Sequence, residues 1–186
     1  RGIASRARWR YLDTGALYRG ATWLALKHNV ENEDEILNLL AKFPLSFASD
    51  PNNPRIFCGG EDISTPIREE EITSNVSRIS ALPKLRGHLL GVQQKIISAA
   101  GYGIVVEGRD IGTVVAPHAQ LKLFLHADIE ARANRRGKEL DALSTSDIRD
   151  VAASLSARDA VDSGRAVSPL RKADDAIMVD STNLSL

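Results

Sequence analysis

Two short strings bring carboxylates, glycines and arginines together in a way that could do chemistry. YLDTGALYR spans residues 11–19 and VVEGRDIGTVV spans residues 105–115. Each begins as an apolar strand and stops at a carboxylate and a glycine, with an arginine close by. Open α/β sheets bind ligands outside the carboxyl ends of their strands. The layout therefore suits a phosphate and a nucleoside held at that edge.

In the first string, a helix starting at Gly15 or Ala16 turns free N–H groups and its positive dipole end toward an anion. Thr14 adds a hydroxyl there, and Arg19 lies about one turn further on. The same residues also suit a plain capped helix with a surface arginine. In the second, Glu107 could hold a metal-bound water, Arg109 could fork two phosphate oxygens, and Asp110 could accept from an exocyclic amine. A strand ending in a salt-bridged loop is the alternative there. A third set, Arg158, Asp162 and Arg165, falls at i, i+4 and i+7 on one helical face. It reads either as a solvated ion-pair ladder or as an arginine face closing over phosphates.

Strands and helices must position these groups. The chain opens in a helix-like stretch before the strand at Tyr11, and Asp13-Thr14-Gly15 supplies a turn and a cap. Leu17, Ala21, Leu24 and His28 follow at helical spacing, so this helix buries one face. A second helix over 34–43 is stopped by Pro44. Residues 45–48 and 55–58, around the turn at 50–54, read as a small antiparallel patch before Gly59-Gly60. Ile72, Val76, Ile79 and Leu82 form one helical stripe; Leu85, Leu89, Val92 and Ile96 form another. Residues 104–106, and 121–125 apart from Lys122, are apolar runs, as expected of strands covered on both faces. An arginine-rich helix is expected over 128–139, another over 146–163 with Ser146-Asp147 as its cap, and a last strand over 176–179. This alternation predicts an α/β fold with a doubly wound parallel sheet.

Composition narrows the class. Lysine plus arginine and aspartate plus glutamate balance at 24 each, which argues against a protein that coats nucleic acid. Arginines crowd the last 80 or so residues, some expected on solvated faces and others free to clamp an anion. The single cysteine, Cys58, rules out an internal disulfide framework, fits a reducing cytosol and sits in an apolar run as a core thiol. The four histidines lack metal-ligand spacing, and no apolar run approaches a membrane span. A cytoplasmic domain without membrane or nucleic-acid partners is expected.

LDTGALYR, the stretch from Ser77 to Pro83-Lys84-Leu85-Arg86, VVEGRDIGTVV and RDAVDSGRAVSPL together resemble the bacterial cytidylate kinases, which phosphorylate CMP and dCMP. The resemblance is colinear over residues 1–186. It implies a P-loop nucleoside-monophosphate kinase fold in a single domain, acting as a monomer on ATP and (d)CMP with Mg²⁺. It further implies an insert for the monophosphate over about residues 39–81 and a lid over about 132–165. On this resemblance Thr14, Arg19 and Arg109 hold the α-phosphate, and Ser77, Arg86 and Asp110 read the cytosine edge. Arg158 and Asp162 contact the pentose. Arg165, with Arg132 and Arg136, acts from the lid on the transferring phosphoryl, so Arg109, Arg158 and Arg165 carry the catalysis. Glu107 matches a strand-end carboxylate near Mg²⁺ and would act through water; aspartate also occurs there in the family. A carboxylate at 110 accepts from the cytosine 4-amino group and repels the uracil 4-carbonyl. Competing expectations are a P-loop kinase for another monophosphate and a non-catalytic nucleotide-binding fragment.

The family pattern places a first strand and a G-x-x-x-x-G-K-[ST] loop just ahead of the helix that opens this chain. On that pattern the 186 residues are expected to be a piece of a longer protein. The central strand, the ATP phosphate cradle and a C-terminal helix would lie outside them. Very weak or no turnover is then expected; a rate comparable to an intact kinase would refute it.

Overall fold

The structure is a computed structural model, and it describes residues 1–139, 144–165 and 167–185. Those residues fall into two compact units, Arg1–Ile111 and Gly112–Leu186.

The first unit begins with helix α1 (Gly2–Ala7), ended by Arg8 in the left-handed region. Strand β1 (Arg10–Asp13) leads directly into helix α2 (Thr14–Lys27). The Asp13 carboxylate accepts from the Ala16 N–H at 3.2 Å, so the expected cap is present and the helix starts one residue earlier than the pattern suggests. Leu17, Ala21 and Leu24 are buried on this helix. His28 is not: it lies past the last turn and is exposed, because the helix stops at Lys27.

Helix α3 (Glu33–Lys42) is capped by Asn32, whose side chain accepts from the N–H groups of Asp34 and Glu35. Strands β2 (Leu45–Ala48), β3 (Arg55–Cys58) and β4 (Glu61–Asp62) form the antiparallel patch. A 3₁₀ turn (Pro66–Arg68) precedes helices α4 (Glu70–Ile79) and α5 (Pro83–Ser98). Pro83 occupies the first turn of α5, where its missing N–H costs nothing. Strand β5 (Ile104–Glu107) then returns to pair in parallel with β1. Asp13 and Glu107 are partners in that register, so the two carboxylates end adjacent strands side by side.

The core of this unit gathers Leu12, Leu17 and Leu24 with Ile36, Leu40, Ile56, Ile63, Ile79, Leu85 and Leu89. Gln93 is enclosed with them. It is fully buried, yet neither its amide nitrogen nor its oxygen finds a hydrogen-bond partner among the described residues. An unmatched buried polar group costs about 1–3 kcal/mol. Replacing Gln93 with leucine is therefore expected to raise the thermal midpoint by several degrees, given about 2–4 °C per kcal/mol in a domain of this size. A melting curve checks this, and a fall would mean that the amide is satisfied in solution.

A π-helical turn (Ile111–Val115) begins at the last residue of the first unit, and the second unit continues into strand β6 (Leu123–His126). Helices α6 (Ile129–Glu139) and α7 (Thr145–Ser163) pack on each other, and strand β7 (Ile177–Asp180) pairs in parallel with β6. The cap of α7 is Ser144 rather than Ser146. It forms a capping box with Asp147, whose carboxyl is held below its usual range by the Ser144 side-chain and backbone hydrogen bonds.

Among the described residues the parallel strands therefore pair two by two. The double-faced burial expected of the apolar runs does not hold. β5 is only half-buried, and Leu125 on β6 is 70% exposed. Each of these parallel strands has a single hydrogen-bonded neighbour, and in the second unit α6 and α7 pack on each other. No described helix is long and apolar enough to cross a membrane.

Candidate functional site

The carboxyl ends of β1 and β5 build the first cluster. The Thr14 hydroxyl, at the start of α2, donates to the Glu107 carbonyl at 2.9 Å and ties the two strand ends together. Between them lies Gly108. A Cβ at this position would sit 2.2 Å from Thr14 Oγ1 and 2.8 Å from Ile111 Cδ1. The close approach of the two segments accounts for the glycine.

Tyr11, buried on β1, donates its hydroxyl to the Glu107 carboxylate. Burial, then the Glu107 hydrogen bond and its charge, hold the phenol far above its ordinary value. A raised folded value means the associated stability is complete below the unfolded phenol's pKa, about 10, and is lost at higher pH. The thermal midpoint is thus expected to fall above pH 10, and Tyr11→Phe to flatten that decline. Identical alkaline profiles for the two proteins would contradict it.

Beside this corner lies a buried ion pair. Arg86, on the first turn of α5, donates from Nη2 to Asp110 Oδ2 at 2.6 Å, with side chains 4% and 7% exposed. Nη1 of Arg86 donates to the Ser80 carbonyl at 3.0 Å, and the guanidinium sits 5.1 Å from the Tyr18 ring centroid. Ser77, one turn earlier on α4, accepts at its carbonyl from Ser80 Oγ. Four elements thus converge: α2 through Tyr18, α4 through Ser77 and Ser80, α5 through Arg86, and the loop after β5 through Asp110. Arg109, next in chain to Asp110, is half-buried and engaged in contacts of its own. Arg19 on α2 donates from Nη1 to the Ile67 carbonyl at 3.1 Å and to Thr73 Oγ1 at 2.9 Å.

The second unit holds the remaining arginines. The Asp162 carboxylate is buried and meets Arg165 Nη2 at 2.5 Å, while Arg158 Nε stands 4.0 Å away. Arg132 on α6 pairs with Asp159 on α7 at 2.5 Å. Arg136 pairs with Glu139 on the surface.

Two features differ from the sequence pattern. Arg165 is not on the helix: α7 ends at Ser163 and Gly164 closes it, so Arg165 folds back onto Asp162 from beyond the helix end. Asp162 is also no solvated ladder member but a buried carboxylate between two guanidinium groups. Among the predicted residues, the structure gathers Thr14, Glu107, Arg86 and Asp110, with Ser77 adjacent, in one unit, and Arg158, Asp162 and Arg165 in the other. Asp159, Tyr11, Tyr18 and Thr73 were not singled out from sequence; each is a partner of a predicted residue at long range. Residues 140–143 of the expected lid, and Ala166 in the third motif, lie outside the described residues.

Among the described residues, no group of three or more histidine, cysteine or acidic side chains could hold a metal ion.

A sequence model of cytidylate kinase matches residues 1–186. The chain belongs to the cytidylate kinase family. It is 47% identical to the cytidylate kinase of Streptococcus suis strain 05ZYH33 over 188 residues, covering 99% of this chain and 83% of that protein. The cytidylate kinase of Streptomyces griseus is 48% identical, with 100% of this chain and 80% of that one covered. That of Streptococcus thermophilus strain LMD-9 is 44% identical, covering 99% and 82%. The mixed α/β architecture with parallel strands is that of a P-loop nucleoside-monophosphate kinase, as the family resemblance implied.

Proposed function

We propose that the chain is a cytidylate kinase, transferring the γ-phosphoryl group of ATP to CMP or dCMP to give CDP or dCDP. Family membership over all 186 residues supports the reaction. The observation that carries the site assignment is the buried Arg86–Asp110 pair beside the ends of β1 and β5.

Phosphoryl transfer needs positioning and charge neutralisation more than a strong base. Thr14, Arg19 and Arg109 serve to hold the monophosphate's phosphate, and Ser77, Arg86 and Asp110 to read cytosine. Arg158 and Asp162 are assigned to the pentose, and Arg165, Arg132 and Arg136 to the phosphoryl in flight. The short contacts of Arg165 and Arg132 with Asp162 and Asp159 support a role in which carboxylates aim arginines at the phosphates. The insert occupies about residues 39–81, supported by the antiparallel patch within it, and the lid about 132–165.

Mg²⁺ is held by few protein groups and keeps several waters, alongside substrate phosphates. A lone strand-end carboxylate, Glu107, fits that mode through water. When bound, the ion neutralises phosphate charge. The enzyme works as a monomer on small molecules in the cytoplasm, a setting with which the single free cysteine, Cys58, is compatible.

A panel of CMP, dCMP, UMP and AMP with ATP and Mg²⁺ tests the reading, scored both by turnover and by calorimetric binding. CMP and dCMP are expected to bind, and any turnover to be confined to them, with UMP and AMP far behind. Preference for UMP or AMP would sink the assignment. Binding of CMP without turnover would favour a nucleotide-binding role alone.

A further inference from the structure

We infer that Thr73 is a positioning residue for Arg19, and hence for the monophosphate's phosphate; this rests on the reading of Arg19 given above. Arg19 projects from α2, yet Nη1 makes its two hydrogen bonds to a different part of the chain. One goes to the Ile67 carbonyl in the 3₁₀ turn and the other to Thr73 Oγ1 on α4. A guanidinium is planar and rigid, so two fixed points on one nitrogen set the direction of the whole fork. That direction decides whether the fork can meet phosphate oxygens two at a time.

The Thr73 hydroxyl is suited to this task by its own bonding. It donates to the Glu69 carbonyl one turn back, at 3.1 Å. A hydroxyl has one hydrogen and two lone pairs. With its hydrogen committed to Glu69, Oγ1 presents only acceptor character to Arg19. The polarity of the contact is thereby fixed before any ligand arrives. Bonding back to the i−4 carbonyl slightly weakens a helix, and here the same bond orients a group that faces a cation.

The two contacts also join the helix that follows β1 to the start of α4. Arg19 and Thr73 are 54 residues apart in sequence. Setting the guanidinium and seating α4 on α2 are therefore one event, and Ser77, one turn along α4 from Thr73, is seated with them.

Calorimetric titration of CMP into the full chain tests this, using Thr73→Val, Thr73→Ser, Arg19→Ala and the Arg19→Ala/Thr73→Val double variant. Valine keeps the shape of threonine without the acceptor, while serine keeps the acceptor. Thr73→Val is expected to weaken CMP binding about fivefold, which corresponds to about 1 kcal/mol, and Thr73→Ser to bind as the parent does. The double variant should bind no more weakly than Arg19→Ala alone, since the hydroxyl acts through the guanidinium. Melting curves run alongside show whether each variant is folded. If Thr73→Val lowers stability so far that binding cannot be read, Thr73→Ala, which also removes the acceptor, takes its place alone and together with Arg19→Ala, with the same outcomes expected.

Parent-like binding by Thr73→Val would overturn the inference, as would additive losses in the double variant or a serine variant as weak as valine. Parent-like binding by Arg19→Ala would instead remove Arg19 from the phosphate site and take the inference with it.

Discussion

Replacing Asp110 with alanine is expected to be the most damaging single change in the first unit. Arg86 would remain with its side chain 4% exposed and without its carboxylate partner. Removing one member of a buried pair typically costs about 3–5 kcal/mol, because the remaining charge is left uncompensated. That is a large share of the roughly 5–15 kcal/mol by which domains are stable. Urea melts of Asp110→Ala should show a much lower midpoint. Asp110→Asn keeps the shape and an acceptor oxygen, so its stability should lie between the two. The amide can also donate, and a donor suits the uracil 4-carbonyl as the carboxylate does not. The ratio of CMP to UMP binding should therefore fall steeply in Asp110→Asn, since a site built on matched hydrogen bonds can discriminate by about 10⁴–10⁵. An unchanged ratio would show that position 110 does not read the base.

Much of the first unit was legible because local chemistry decided it. Asp13 caps the helix after β1 since its short carboxylate can reach the N–H three residues on. The β2–β3 hairpin follows from a proline and asparagine turn between two apolar strands. Where the reading slipped, it was by a few residues at element ends, as when Ser144 rather than Ser146 caps α7. Choosing among three serines and threonines in a row needs the reciprocal bond from Asp147, which composition cannot show. Arg165 slipped for a related reason. The i, i+4, i+7 pattern continued on paper, while Gly164 ended the helix and the guanidinium came back to Asp162 around that end.

The pairings themselves were the least legible part. Nothing local connects Arg86 with Asp110 across 24 residues, or Arg19 with Thr73 across 54. The family resemblance grouped Arg86 with Asp110, and the fold supplies the physical reason: the loop after β5 lies against the first turn of α5. Thr73 carried no signal of its own, since a threonine inside an amphipathic helix is ordinary. The exposure of β6 was invisible for another reason. An apolar run records what a strand can bury, not which neighbours it meets.

Gly108→Ala should be nearly as harmful as loss of the ion pair, although it adds only one methyl group. The glycine lies between Glu107 and Arg109, and its Cα faces Thr14 so closely that a Cβ would stand 2.2 Å from Oγ1. Thr14 is itself buried, and its hydroxyl is engaged by the Glu107 carbonyl, so it has little room to turn aside. Relief must come either from breaking that hydrogen bond or from pushing the β5 end away from β1. Overpacking of this kind costs about 1–3 kcal/mol. The strand-end register that sets Asp13 beside Glu107 would shift with it, and Arg109 and Asp110 follow immediately in the chain. Gly108→Ala should therefore lose CMP binding by more than its loss of stability accounts for. The decisive comparison is the Gly108→Ala/Thr14→Ala double variant. Removing Oγ1 opens the space that the new methyl needs, so the double variant should recover stability relative to Gly108→Ala alone. CMP binding should stay weak, because the Thr14 hydroxyl is gone. Equal melting points for the single and double variants would show that the obstacle is Ile111 rather than Thr14, and that the Thr14–Glu107 tie does not fix the corner.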